Sequence, residues 1–412
     1  MRKFFDYLSI FHLLVLSLAF RVVVNYFYGD SELANEWENI IHNKAISGIF
    51  GFYIAESEFI ANPKLAEIGE RVLPTIYMPP LYYYLIYLIK LVSLDIFKTS
   101  FLVIFFQICL SLVSIFIFFH ILRNFVSKNF SIFITSIFAF FPVNILSSSQ
   151  ISSITLQIFL LLNFFFFLIE FLKKKKKIYL ILFSFFSGLL ILTRGEFFLF
   201  YFITIFYFFL FQKKNLKIIF LSLIITLFVI SPYLKRNYSL FETFTLTKSF
   251  GYNLLKGNNA NFKVEGDAVY VEKEFPRNKL KIKTNNFYEI NLDNFYKKKA
   301  IENIKESPIT YLKFYFIKVL SFLFIDLNSS YPGYYNFFHI LPKILLSITS
   351  IIGAVISIRK KGFMQYLSLY YFANIFLFSI FFILPRYSLI LLPVQLLLSI
   401  DVLKYLFRKL LN

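Results

Sequence analysis

Cysteine is all but absent from this 412-residue chain: its one copy, Cys109, sits inside an apolar run. A lone cysteine excludes an internal disulfide and a cysteine metal cluster. Histidine is nearly as scarce, and the four residues are scattered so that they complete no metal site. Acid is in short supply too, with 23 Asp and Glu against 43 Lys and Arg and a formal charge of +20. Apolar surface, in contrast, is abundant. With 58% hydrophobic residues, 60 of them Phe, and a mean hydropathy of +0.69, the chain has more than one soluble core could cover, so repeated apolar runs must face lipid. The composition is that of an all-α polytopic integral membrane protein.

In a soluble domain this charge would suggest nucleic acid. Here the cations occupy short runs between apolar segments, at Lys173 to Lys177, Lys213-Lys214-Asn215-Leu216-Lys217, Arg359 to Lys361 and Arg408-Lys409. Such runs read as cytoplasmic anchors beside anionic headgroups, with membrane lipids and not nucleic acid as partners. Arg2 and Lys3 precede an apolar run that is too long for a signal-peptide core, lacks a small-x-small cleavage site and leads straight into Asp30. It reads as a retained signal anchor with the amino terminus inside.

Apolar runs predict spans near 5 to 28, 98 to 122, 129 to 146, 151 to 172, 178 to 193, 195 to 212, 218 to 234, 338 to 358, 363 to 384 and 386 to 406, with shorter or more charged candidates at 79 to 95 and 309 to 328. A span needs roughly 17 to 25 residues. If both doubtful segments cross, Arg123, Lys128 and the Lys173 run fall outside; if both are interfacial or re-entrant, the cationic clusters fall inside. Ten full spans is therefore the preferred count and twelve the alternative. This topology puts 29 to 78, 147 to 153, Thr193-Arg194-Gly195-Glu196, 235 to 306 and Pro385-Arg386-Tyr387 on one outer face. The expected organisation is a transmembrane module at 1–234 that includes the outer loop 29–78, an outer element at 235–306, and carboxy-terminal transmembrane helices at 307–412. The 235–306 stretch has few glycines and mixes Lys, Asn, Glu and aromatics, which suggests a small extramembrane element rather than a linker. No internal repeat is visible, which weighs against a transporter built from duplicated halves.

Acids at the outer boundary are the first candidates for chemistry, beginning with Gly29-Asp30-Ser31-Glu32. If 30 to 47 is helical, Asp30 stands at the helix start, where an acidic cap is favoured, and Glu32 and Glu36 share a face. Asp30 is then either a cap or a base toward a substrate hydroxyl at the membrane surface. Downstream, Tyr77-Met78-Pro79-Pro80-Leu81-Tyr82-Tyr83-Tyr84 fixes the chain as it re-enters lipid, and an aromatic belt accounts for its tyrosines. Arg194 and Arg386 lie at the edges of apolar runs on the outer face, where an arginine needs a partner. A phosphate is one such partner; Glu196, or snorkelling to the interface, is the other explanation. Ser231-Pro232-Tyr233-Leu234-Lys235-Arg236-Asn237-Tyr238 and Gly251-Tyr252-Asn253-Leu254-Leu255-Lys256-Gly257-Asn258-Asn259 read either as a helix stop followed by turns or as a phosphate clamp beside a polyol site.

In their order these elements resemble the GT-C superfamily of membrane glycosyltransferases, in the branch similar to dolichyl-phosphate-mannose protein mannosyltransferases and aminoarabinose lipid A transferases. The resemblance runs from Gly29-Asp30-Ser31 through Met78-Pro79-Pro80-Leu81-Tyr82, Leu192-Thr193-Arg194, the run from Pro232 to Tyr238, Gly251-x-Asn253-Leu254 with Gly257-Asn258, to Arg386-Tyr387 with Pro393. It implies a GT-C-like helical fold and inverting transfer of a sugar from a polyprenyl-phosphate-linked donor to an acceptor, on the extracytoplasmic side of the cell membrane. Asp30 in the first outer loop would be the base. Arg236, Arg386, Arg194 and Lys235 would contact the donor phosphate or headgroup, and Glu32, Tyr77, Asn237 and Asn258 the substrate. No cofactor and no metal site is implied. The chain departs from many relatives between Ser147 and Gln157, where an acid is missing; Gln157 can hydrogen-bond a sugar but cannot accept a proton or hold a metal by charge. Glu32, Glu56 or Glu58 would have to supply any second carboxylate. The alternatives are a lipid-linked oligosaccharide transporter and a cell-surface polysaccharide polymerase or ligase, and the acceptor is not inferable.

Overall fold

A computed structural model describes residues 9–33, 35–53, 65–93, 96–211 and 216–411. Arg2, Lys3, Glu56, Glu58, Lys213 and Lys214 lie outside the described residues. In chain order the helices are α1 (Ile10–Tyr28), α2 (Asn35–Ser47), α3 (Pro80–Ser93), α4 (Thr99–Leu122), α5 (Lys128–Ala139), α6 (Pro142–Ser149), α7 (Ile154–Lys174), α8 (Lys177–Thr193), α9 (Phe197–Phe211), α10 (Leu216–Phe241), α11 (Phe250–Gly257), α12 (Ala268–Glu274), α13 (Tyr288–Glu306), α14 (Pro308–Leu323), α15 (Phe337–Ile358), α16 (Phe363–Phe378), α17 (Pro385–Leu389), α18 (Leu392–Leu398) and α19 (Ile400–Leu411). Between α2 and α3, strands β1 (Gly51–Tyr53) and β2 (Val72–Pro74) pair antiparallel with Phe52 opposite Leu73.

The protein is a multi-pass helical membrane protein. By length and composition α1, α4, α7, α10 and α15 can each cross a bilayer, and the pair α5 and α6 makes a sixth span if its 55° bend is counted as one broken crossing. The remaining expected spans are shortened or divided. Helices α3 and α14 have 14 and 16 residues, and the apolar run at 386–406 is cut into α17, α18 and α19. Ten to twelve crossings would require these shorter helices to cross as well. Helix α7 is the centre of the bundle, packed between α4 and α8, while α1 leaves most of its surface outward for lipid.

The break after Ala139 has an identifiable cause. Pro142 opens α6 without an N–H to offer the preceding turn, so carbonyls at the end of α5 lose their helical partners. Asn144 Nδ2 donates to Phe138 O (2.9 Å) and the Arg21 guanidinium to Ala139 O (3.2 Å). Arg21 is fully buried inside α1 and also donates to Ser111 Oγ (3.0 Å) and to the Ser17 carbonyl (3.3 Å) and hydroxyl. It thus joins α1, α4 and the bend, about two and a half helical turns before Asp30.

Pro232 was expected to end its span, yet α10 continues through it to Phe241. The carbonyl that a proline strands is that of the fourth residue before it. Ser231 Oγ donates to this group, Phe228 O, at 2.9 Å, so the helix proceeds with its backbone satisfied. The boundary expected at 234/235 therefore falls inside a helix, whose last two turns carry Lys235, Arg236 and Asn237.

Beyond α10 the polar segment folds as the short helices α11 and α12 and the 19-residue α13. Asp293 on α13 accepts from the Gly251 and Tyr252 N–H groups (2.6 and 3.2 Å), holding the amino-terminal end of α11. Glu289, on the same helix, accepts from Ile76 N–H (2.7 Å) and Thr75 Oγ (3.1 Å), which docks the end of β2 onto this unit.

Candidate active site

A cavity of about 730 Å³ opens where the ends of several helices meet, a volume suited to a small organic ligand. Its wall takes residues from the first loop (Asp30, Ser31, Glu32), α2 (Glu36, Trp37), the approach to α3 (Tyr77, Met78, Pro79) and its first turn (Tyr82), the 151–157 turn, the end of α8 (Thr193, Arg194, Gly195, Glu196), the 247–253 stretch and α17 (Arg386, Tyr387). Asp30, Glu32, Tyr77, Arg194 and Arg386 thus share one cavity despite their distance in sequence.

Asp30 does not cap a helix, since α2 begins only at Asn35. Its carboxylate is instead fastened to the turn after α6: Oδ2 accepts from Ile151 N–H (2.7 Å), and Asp30 N–H donates to Ser149 O (3.0 Å). Among the described residues Oδ1 accepts no hydrogen bond, so one oxygen fixes the group and the other is free for chemistry. The turn itself is organised by Gln107, which is buried on α4. Gln107 Nε2 donates to Gln150 O (2.8 Å), and its Oε1 accepts from Tyr82 OH (2.7 Å). A polar residue at mid-helix in an apolar run was the available sign of this role.

The two arginines differ. Arg194 is engaged: its Nε pairs with Glu196 at 3.3 Å, and its guanidinium lies over the rings of Tyr387 (4.2 Å) and Phe378 (4.7 Å). Arg386 is exposed to the cavity, and its ring contact with Tyr387 is looser, at 5.9 Å. Near it stands Lys256, three residues after the cavity-lining Asn253 on α11 and above the Phe382 ring at 4.5 Å. Burial and then the Arg386 charge hold the Lys256 ammonium below its usual range. Lys256 was not singled out by sequence, because its closeness to Arg386 is created by packing across about 130 residues of chain.

Arg236, Lys235, Asn237 and Asn258 do not line this cavity. Arg236 Nη1 donates to Thr75 O and Asn237 Oδ1, both at 2.8 Å, and Asn237 Nδ2 donates to Thr245 O at 2.7 Å. These bonds clamp the two chain segments that carry Tyr77 and Thr247 into the wall. Lys235 is exposed. Asn258 faces inward: its Nδ2 donates to Leu254 O (2.9 Å) and Ile380 O (3.0 Å), and its Oδ1 accepts from the buried Lys318 ammonium (3.0 Å). Lys318 also donates to Gly257 O (3.1 Å) and Phe381 O (2.7 Å), tying α11 to the segment that leads into α17.

Burial, followed by the nearby Tyr252 and Glu36, raises the Tyr77 phenol well above its ordinary value, so it is a neutral hydrogen-bonding wall and not a base. Among the described residues no group of three or more His, Cys, Asp or Glu is arranged to hold a metal ion.

No family model matches the chain, and the comparison with curated proteins finds no match. Among solved structures it is similar to the oligosaccharyltransferase AglB of Archaeoglobus fulgidus in complex with an inhibitory peptide and a dolichol-phosphate, at TM-score 0.52 and 15% identity, covering 97% of this chain and 50% of that one. The apo form of the A. fulgidus oligosaccharyltransferase gives TM-score 0.53 and 13% identity over 97% and 51%. The form tethered to an acceptor peptide containing the NVT sequon gives 0.51 and 14% over 97% and 50%. The chain spans about half the length of these structures. At such identities the likeness is one of fold: the chain shares a helical fold with about half the length of these oligosaccharyltransferase structures.

Proposed function

We propose that this protein transfers a sugar from a polyprenyl-phosphate-linked donor to an acceptor at the extracytoplasmic face of the cell membrane. The observation that carries the reading is the meeting of Asp30, with one free carboxylate oxygen, and Arg386 and Arg194 in one cavity at the helix ends. An A. fulgidus oligosaccharyltransferase of similar fold binds a dolichol-phosphate and an inhibitory peptide, which supports a lipid phosphate on one side of the reaction and an acceptor on the other.

The chemistry follows from the charges. An acceptor hydroxyl oxygen attacks the anomeric carbon while Asp30 Oδ1 takes its proton, and the bond from that carbon to the phosphate oxygen breaks with its electron pair going to the phosphate. A single displacement inverts the anomeric centre. Negative charge then develops on the leaving carrier phosphate, where the Arg386 guanidinium and, behind it, Lys256 stabilise it. Arg194, neutralised by Glu196 and lying against the Tyr387 and Phe378 rings, holds the wall in shape and adds a weaker field.

Asp30→Asn keeps the bond to Ile151 and removes the base. In purified protein in nanodiscs it is expected to lower transfer from polyprenyl-phosphate-sugar donors by about 10²–10⁴-fold while leaving donor binding within about twofold of wild type. Full activity of this variant would remove Asp30 as the base.

A further inference from the structure

We infer that Gln157 is a specificity-determining residue that binds a hydroxyl of the transferred sugar, a deepening of the reading above that rests on it. Gln157 sits in the first turn of α7, lines the cavity and is 2% exposed. One end of its carboxamide is anchored, with Nε2 donating to Ser153 Oγ at 2.8 Å. The other end, Oε1, is buried without a hydrogen-bond partner.

A buried acceptor left without a hydrogen bond is destabilising, so such a group is held ready for a donor that arrives with the ligand. The anchor at Ser153 prevents the amide from turning away, and the nearby Ile151 N–H fixes Asp30, so one short stretch of chain carries the carboxamide and holds the base. Oε1 is acceptor-only and bears partial negative charge. It therefore suits a neutral hydroxyl and disfavours an ionised phosphate oxygen, which places the polyol end of the donor at Gln157 and the phosphate toward Arg386. Ser152, Ser153, Thr193 and Thr247 extend the same neutral hydroxyl lining along the wall. Removing a site's partner for a substrate hydroxyl is a sharp way to lose discrimination.

The test compares binding of bare undecaprenyl phosphate with undecaprenyl-phosphate-linked glucose, galactose and mannose to nanodisc-embedded wild type, Gln157→Leu and Gln157→Glu. Wild type is expected to prefer at least one glycosylated lipid over the bare carrier. Gln157→Leu is expected to weaken that lipid about five- to thirtyfold, the worth of one hydrogen bond, while binding bare carrier within twofold of wild type, which also shows that it is folded. Gln157→Glu retains an acceptor oxygen and is expected to keep a sugar preference that Gln157→Leu loses. Equal loss for bare and glycosylated lipids, or an unchanged sugar preference in Gln157→Leu, overturns the role of Gln157. So does a wild type that binds bare and glycosylated lipids alike. Failure of wild type to bind any of the four lipids instead overturns the donor reading on which the inference stands.

Discussion

Glu289 shows how much of this protein depends on single polar groups placed without water. It reaches from α13 to Thr75 and Ile76, the two residues that precede Tyr77 in the cavity wall, and burial holds its carboxyl up at about 7 against an ordinary 4.5, despite the hydrogen bonds that favour its charged form. A folded-state value above the unfolded one means that the native protein binds more protons between those limits, so stability falls as pH rises from about 4.5 to about 7 and levels above that window. The loss is on the order of 3 kcal/mol, at about 1.4 kcal/mol per pH unit. Thermal unfolding of wild type and Glu289→Gln at pH 5 and pH 8 measures it: the wild-type midpoint should drop relative to the variant at the higher pH, and parallel profiles would refute the assignment. At this scale the sequence was informative about residue type and silent about partners. Asp30 stood out as an acid past an apolar run, but its tether, Ile151, lies 121 residues away, and no local periodicity encodes that contact. Arg236 and Asn237 were legible as polar groups beyond a span, whereas their turn toward Thr75 and Thr245 depends on where β2 docks.

Among elements, the bundle core was legible wherever an apolar run is unbroken, as in α4, α7 and α15, because burial from lipid and helical hydrogen bonding demand the same residues. Proline was the less dependable signal. Pro142 coincides with a bend, Pro80 with a helix start and Pro232 with neither, and the difference lies in the neighbours that take up the freed carbonyls. Gly257 illustrates an element junction with no tolerance. A Cβ there would meet the Phe381 carbonyl carbon at 2.4 Å, its oxygen at 2.6 Å and Phe382 N at 2.7 Å, all backbone. Gly257→Ala must therefore push α11 away from the segment that carries Arg386, at a cost of about 1–3 kcal/mol. Its unfolding midpoint should fall and its affinity for bare undecaprenyl phosphate should weaken. Gly195→Ala, whose Cβ would meet only Thr247 Oγ at 3.4 Å, should change neither measurably. Equal behaviour of the two variants would show that the α11 contact does not position Arg386.

At the scale of the whole molecule, helix α7 sets the geometry. It has 21 residues, a length of about 30 Å, close to the thickness of a bilayer's hydrocarbon core. Gln157 at its amino-terminal end lines the cavity, while Lys173 and Lys174 close its other end. Helix α8 starts beside the same cationic run at Lys177 and returns to Thr193 in the cavity wall. The lysine run and the cavity are thus held about one bilayer apart by two neighbouring helices, whichever of the shorter helices cross. Because clustered Lys residues are retained on the cytoplasmic side, the cavity should open outward, where a lipid-linked sugar would meet its acceptor. Single cysteines test this in a Cys109→Ala background: Ser152→Cys and Thr247→Cys should react with a membrane-impermeant maleimide in intact cells, and Lys176→Cys only after permeabilisation. The reverse pattern would turn the cavity toward the cytoplasm and with it reject an extracytoplasmic transfer, while leaving the relation between Asp30, Gln157 and Arg386 intact, since that relation is fixed by the fold and not by the side of the membrane it faces.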